Sequence, residues 1–310
     1  MYEDDEGSQV PLVWGPEVLI YEDAPLPDTG PNEILISVYA AGVNPVDWKI
    51  RKRFGREWFG LKLPFTLGCD VAGVVELTGA QVKRFRQGDA VYGYINLRRC
   101  GAYAEFAIAT EEEVIAKPAV LDFVQAAAVP IGALTAWQGL FGLAHLNAGQ
   151  KLLIHGAAGG VGSMAVQLAK AKGANVAGTA SARNKQFLHE LGVDQIIDYQ
   201  ATHFEDAVHG MHVVFDTSGN DTQARSFKAL KQRGTIVSTV SEPSEAAAKA
   251  NGFTGFMIMV QPSAAQLDEI GIFIKSGKVR PRVGMVLPLC HVRKAHELSQ
   301  SGHAQGKIVL

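Results

Sequence analysis

Four glycines, Gly156, Gly159, Gly160 and Gly162, fall within seven residues of the stretch LLIHGAAGGVGSMAVQLAKAKGA, which runs from Leu152 to Ala174. An apolar run leads in and a helical pattern leads out. This order suits a phosphate cradle. Glycine lets the backbone approach a pyrophosphate, and the free N–H groups of the following helix face the anion with the positive end of its dipole. Against the fingerprint G-x-G-x-x-G the stretch reads Ala157-x-Gly159-x-x-Gly162, so alanine replaces the first glycine. Gly159 is expected at the pyrophosphate and Gly162 at the contact between helix and strand. Gly156, Ala158, Gly160 and Val161 complete the expected lining. A tight turn at a sheet edge would use the same glycines; the sequence of strand, helix and second strand favours the cradle.

About 20 residues further on, a site for NAD places Asp or Glu on the ribose 2′-hydroxyl. Positions 178–189 hold no acid, and Ser181, Arg183 and Lys185 stand there instead. The planar fork of arginine matches a phosphate, and serine can donate beside it. The expected cofactor is therefore NADP(H). Arg183 and Lys185 as solvated helix-start residues is the alternative.

The elements that must position these groups are legible in outline. Up to about Lys117 the chain is rich in Val, Ile and Tyr runs broken by Gly, Pro and Asp, as in EILISVYAAGV, DVAGVVEL, DAVYGYI and AYAEFAIA. Short, closely spaced strands predict a partly open barrel. A helical pattern follows, interrupted at Pro130. Strands KLLIH, NVAGTA, QIIDY, HVVFD and GTIVSTV then alternate with helices, which predicts a parallel sheet covered on both faces. The fold class is α/β, a barrel domain plus a doubly wound parallel sheet. The expected domains are 1–117, 118–260 and a segment 261–310.

Composition bounds the function. With 47% hydrophobic and 19% charged residues the chain reads as globular, and 29 basic against 31 acidic side chains give no general attraction to nucleic acid or membrane. No apolar run reaches the roughly 18 residues of a membrane span. The acidic start MYEDDEGS does not read as a leader, and Cys69, Cys100 and Cys290 form no CxxC pair. A cytoplasmic setting is expected. The basic stretch KIRKRFGR, from Lys49 to Arg56, reads as a solvated loop.

GPEVLIYEDAPLPDTGPNEILISVYAAGVNPVDWKIR, LGCDVAGVV, GGVGSMAVQLAKAKGA and the terminal GKIVL together span nearly the whole chain. In these stretches it resembles the medium-chain dehydrogenase/reductase superfamily, in its zinc-independent quinone oxidoreductase branch. NPVDWKIR and VQPSAAQL look most like the enone reductases of 2-alkenals, alkenones and furanones. The resemblance implies a GroES-like catalytic domain, a Rossmann domain, and a C-terminal segment returning to the first. It also implies a homodimer with Rossmann sheets paired edge to edge. It carries Asn44 to a position beside nicotinamide and substrate, and Asp47 and Lys49 to the same cleft. It places Thr135 near the nicotinamide and Tyr199 near the adenosine phosphate. Ser218, Gly219 and Val240 end strands where open α/β sheets bind ligands, and Met259 and Val260 are further candidates. Each residue also fits a plainer role: Asn44 a turn before Pro45, Lys49 a solvent-facing lysine, Trp48 core, Thr135 packing, the strand-end residues simple loops.

Zinc-using members of the superfamily need Cys in the loop AAGVNPVD and a His-Glu pair where this chain has Cys69-Asp70. With Asn44 and Asp47 in the loop and no histidine after Gly68, no metal is expected, and Cys69 reads as a small core residue. The expected activity is hydride transfer from NADPH to a quinone or an α,β-unsaturated carbonyl, with no nucleic-acid or membrane partner. A non-catalytic NADPH-binding protein, crystallin-like or RNA-associated, is the alternative. The first strand reads poorly before Val10, so its pairing is expected to be atypical.

Overall fold

The computed structural model describes residues 15–310; the expectation for a strand near Val10 lies outside them. Two sheets organise the chain. The first is antiparallel over most of its width. It contains β1 (Glu33–Val43), β2 (Asp70–Thr78), β3 (Ala90–Tyr94), β4 (Phe106–Thr110) and β5 (Val114–Ala116), and it is completed by β12 (Val283–Val286) and β13 (Lys307–Val309) from the other end of the chain. The long strand β1 holds it together. Its first half pairs with β4, its last two residues pair with β13, and β2 runs along nearly all of it.

The second sheet holds β6 (Lys151–His155), β7 (Asn175–Ala180), β8 (Gln195–Asp198), β9 (Met211–Asp216), β10 (Leu230–Ser238) and β11 (Thr254–Met257). It is parallel, in the order β11-β10-β9-β6-β7-β8. Its central strands are buried over nearly their whole length, because helices cover both faces. This is why KLLIH and HVVFD are continuous apolar runs without alternation. The order reverses beside β6, so the crevice at the end of β6 is the topological switch point where such sheets bind ligands.

Helix α1 (Pro45–Arg51) follows β1 directly, and α2 (Arg56–Phe59) follows a turn. Pro130 divides the helical stretch as expected: α3 (Phe123–Ala127) stops before it, and α4 (Pro130–Trp137) starts on it. Proline has no N–H to lose at a first helical position. Helix α4 packs on α5 (Gly160–Ala171), where Gly132 leaves room for the Gly160 carbonyl at 3.1 Å from an added Cβ. A short helix, α6 (Lys185–Glu190), follows β7.

The basic stretch Lys49–Arg56 is not a solvated loop throughout. Lys49 and Arg51 belong to the last turn of α1, and Arg51 is buried. Its guanidinium meets His296 Nδ1 at 3.0 Å and donates to Gln300 Oε1 at 2.8 Å, both on the helix Val292–Gln300. Asp47 and Arg51, four residues apart, share the inward face of α1. Among the described residues no helix is long and apolar enough to cross a membrane.

Candidate active site

The glycine loop joins β6 to α5 as the sequence predicts. Gly156 adopts φ +69°, a left-handed conformation that side chains resist. Gly162 permits the close turn: a Cβ there would lie 2.2 Å from the Gly156 carbonyl oxygen. Ala157, in place of the first fingerprint glycine, is accommodated across the sheet. A Cβ on Gly178 would come within 2.9 Å of the Ala157 methyl, so the space one glycine would leave is supplied by another on β7. Gly159 is the N-cap of α5; its own N–H donates to the Gly156 carbonyl at 3.0 Å, and the N–H groups of Gly160, Val161 and Gly162 have no preceding helical turn to bond. Ala158 is buried and Val161 is half-buried beside it. The cradle fits a dinucleotide pyrophosphate in its backbone shape and in the sign of its field.

At the end of β7, Ser181 caps a short turn and accepts from Asn184 Nδ2 at 3.3 Å. Arg183 is exposed and donates to the His303 carbonyl at 3.0 Å. It borders a cleft of about 370 Å³ shared with Gln186, Arg282 and Gln305. Tyr199 is exposed just after β8, its N–H 3.3 Å from the Ala180 carbonyl, which brings it to the end of β7. Ser218 and Gly219 follow β9, and both N–H groups donate to Asp216 Oδ1 at 2.9 Å. Asp216 is fully buried, also accepts from Ser238 Oγ at 3.0 Å, and so shapes two strand ends at once. Sequence reasoning missed it because FDTSGN offers no spacing rule for an internal carboxylate. Val240 lies 2.7 Å from where a Gly219 Cβ would be. Met259 and Val260 are half-buried beyond β11. Thr135 is buried on α4, its hydroxyl donating to the Ile131 carbonyl at 2.7 Å within its own helix.

The other half of the site is the turn between β1 and α1. Asn44 is the N-cap of α1, and its N–H donates to Asp47 Oδ2 at 2.7 Å, which fixes the first turn. Asn44 Nδ2 donates to Asp70 Oδ2 at 2.9 Å. Asp70, at the start of β2, also accepts the Ile131 N–H at 2.7 Å, so it ties α1 to the start of α4. The remaining partner comes from the C-terminus. Lys307 Nζ lies 2.6 Å from Asn44 Oδ1 and 2.9 Å from Asp70 Oδ2, with both charged side chains buried. GKIVL marked the family resemblance, but its lysine carried no expected role; nothing local distinguishes it from any strand-start lysine.

Asp47 is fully buried. Its Oδ2 accepts from Asn44 N–H and from the Tyr103 hydroxyl at 2.8 Å, whereas Oδ1 has no partner among the described residues. Burial pushes its carboxyl up to about 7, against the pull of those two donors. Tyr103 is itself pushed well up by burial and by the adjoining carboxyl. Lys49 is half-buried, and desolvation lowers its ammonium. Trp48 is partly buried, its indole N–H has no partner among the described residues, and the ammonium groups of Lys49 and Lys52 lie 5.9 and 5.6 Å from its ring. Cys69 is a buried core residue as expected, but its Sγ lies 3.2 Å from Cys100 Sγ, a proximity that 31 residues of separation conceal. His155 is a fully buried strand residue held between Thr179 Oγ1 and Ser226 Oγ, and burial drives its imidazole down to about 4.

A barrel domain whose last strand starts against the glycine loop of a doubly wound sheet defines a class, the two-domain nicotinamide-dependent oxidoreductases. Residues 30–119 match the family described as alcohol dehydrogenase GroES-like domain, and residues 191–310 match that described as zinc-binding dehydrogenase. The chain is 33% identical over 315 residues to quinone oxidoreductase of Sus scrofa, covering 96% of this chain and 94% of that one. It is 36% identical over 299 residues to 2-methylene-furan-3-one reductase of Solanum lycopersicum, covering 92% and 73%. Among solved structures, the quinone oxidoreductase from Coxiella burnetii superposes with a TM-score of 0.90 at 35% identity, over 95% of each chain. The Escherichia coli quinone oxidoreductase complexed with NADPH does so with 0.85 at 29%, over 96% of each. The chain belongs to the medium-chain dehydrogenase/reductase superfamily, among its quinone oxidoreductases and enone reductases, and it is an oxidoreductase.

One of those family descriptions implies zinc. The residues do not fit it. The oxygens of Asn44 and Asp70 already hold the Lys307 ammonium, whose charge repels a dication at the same place. The Cys69 thiol lies in the core 3.2 Å from the Cys100 thiol, and no histidine follows Gly68 to complete a ligand set.

Proposed function

We propose that this protein is an NADPH-dependent, zinc-independent reductase of quinones or α,β-unsaturated carbonyls. The observation that carries the reading is the Asn44–Asp70–Lys307 cluster: a buried lysine ammonium holds together the loop and strand positions at which zinc-using members of the superfamily need metal ligands. Easy alcohol oxidation calls for a Lewis acid on the alcohol oxygen. Reduction of an electron-poor alkene or a quinone does not, because the acceptor already delocalises the incoming electrons. The names of the relatives, quinone oxidoreductase and furanone reductase, agree with that class of acceptor.

When bound, NADPH supplies a hydride. The chain's own residues bind, orient and screen. The first turn of α5 holds the pyrophosphate, and Ser181 with Arg183 holds the 2′-phosphate. Thr135, Tyr199, Ser218 and Val240 line the remainder of the cofactor track. Asn44 and Asp47 hold the turn that faces the nicotinamide. Lys49 steadies the oxygen on which negative charge develops, and desolvation around it strengthens that interaction. The proton completing the reaction comes from water. Arg183 also explains the choice of cofactor, since no acid in positions 178–189 is available to a ribose hydroxyl.

The test is NADPH oxidation by the purified chain against short enals, enones, furanones and small quinones. Turnover of at least one class well above the enzyme-free rate is expected. Tight NADPH binding with no turnover on any acceptor would instead mark a binding protein, and would overturn the reading. Electron spin resonance separates one-electron quinone chemistry, which produces a semiquinone, from two-electron reduction, which does not.

A further inference from the structure

The glycine loop and the hydride-site turn belong to different sheets, yet one side chain touches both. Lys307 opens β13, the strand that closes the barrel against the end of β1. On the way in, Gly306 N–H donates to the Ala158 carbonyl at 2.9 Å, and Gly159 and Gly306 form an isolated parallel bridge. The lysine stem then lies along the start of α5. A Cβ on Gly160 would sit 2.7 Å from Lys307 Cδ, so the glycine there makes room for this side chain as well as for phosphate. At its far end the ammonium reaches Asn44 Oδ1 and Asp70 Oδ2.

A lysine that is 4% exposed is costly to bury, and a methionine would fill much of the same space without a charge. What the charge adds is orientation. The Asn44 carboxamide has two unlike ends. Lys307 fixes the oxygen end and Asp70 the nitrogen end, so the amide has one facing only. Because Asn44 also caps α1, whatever holds its side chain also holds the turn that carries Asp47 and Lys49. The stem rests on the loop, and the head rests on the turn.

We propose that Lys307 is a positioning residue that couples occupancy of the glycine loop to the order of the Asn44–Arg51 turn in the other domain. The proposal rests on the reading of that loop as the dinucleotide cradle. Seating on the loop presses the lysine stem into its channel and holds the ammonium on Asn44. Without the ammonium the loop still binds, but the turn no longer responds.

Hydrogen exchange of the peptide covering residues 42–51, with and without saturating NADPH, tests this. In the wild-type chain NADPH is expected to slow exchange there by about fivefold or more, the lower end of ordinary coupling between sites. Two variants carry the test: Lys307→Met, and Lys307→Met combined with Asp70→Asn, which removes the carboxylate left without its cation; Asp70→Asn alone, which keeps the ammonium beside Asn44 Oδ1, is the control and should retain the slowing. In the double variant NADPH affinity, by fluorescence titration, should stay within about threefold, whereas the slowing at 42–51 should fall below about twofold. Persistence of the slowing overturns the proposal. So does a loss of NADPH affinity beyond about tenfold, which would make Lys307 a direct ligand of the cofactor. If wild-type chain binds no NADPH, the cradle reading fails and the coupling falls with it.

Discussion

Asp47 is fully buried, with one oxygen in two hydrogen bonds and the other in none among the described residues. Its carboxyl, raised to about 7 from 3.8 by burial, binds a proton in the folded chain over a pH range where the unfolded chain has released it. The associated stability is therefore fully present below about 4 and is lost as pH rises through about 7. The upper bound, from 1.36 kcal/mol per pH unit, is about 4 kcal/mol. We expect Asp47→Asn to flatten the fall of the denaturation midpoint between about pH 4 and 7, and urea titrations at several pH values measure it. At the other end of the site, Arg183→Ala should weaken NADPH binding by about 1.5–3 kcal/mol, as for a lost charge-assisted hydrogen bond, and leave NADH binding nearly unchanged. Calorimetric titration with both cofactors reads the difference. An equal loss for both would remove Arg183 from the 2′-phosphate.

The element that decides whether the cradle forms is the β6–α5 turn with its neighbour β7. The alanine at position 157 works because Gly178 faces it. Gly178→Ala should overpack the contact and cost about 1–3 kcal/mol. Adding Ala157→Gly to that variant should recover much of the loss, because the pair then exchanges one methyl for another. Thermal melts of the two variants beside wild type give the answer, and two additive losses would contradict the compensation. The same contact accounts for the imperfect fingerprint. The first glycine of the motif is read in one strand, while the space it provides belongs to two.

For the molecule as a whole, the last five residues join the two halves. β13 pairs with β1 and with β12, and its lysine enters the site. Ending the chain at Gln305 removes the strand and leaves Asp70 a buried carboxylate without its cation. That alone is expected to cost about 3–5 kcal/mol, as for one partner lost from a buried pair, and denaturant unfolding should show it. In the parallel sheet β11 is an edge strand, paired among the described residues only with β10. We propose that two such edges join in a homodimer, as the family resemblance implies, and light scattering on the eluted protein should then report twice the chain mass.

Residues and spacing by themselves determined a good deal. Gly156, Gly159, Gly160 and Gly162 between an apolar run and a helix located the turn from β6 into α5, because a tight glycine turn is a local property. Pro130 placed a helix boundary, because a missing N–H acts where it stands. Alternating short runs defined the parallel sheet, because burial on both faces writes itself as continuous apolar sequence. The segment after β7 that carries Ser181 and Arg183 was placed as well, because the distance from the glycine turn to the end of the next strand is fixed within one unit. Tertiary structure alone decided the rest. Lys307 meets Asn44 across 263 positions, Cys69 meets Cys100 across 31, and Arg51 turns inward to His296 across 245. None has a period or a spacing. Each exists because separate elements, packed for the sake of their apolar faces, brought polar groups together out of water. Once there, such groups had to find one another, since leaving them unpaired in the interior costs more than any local preference.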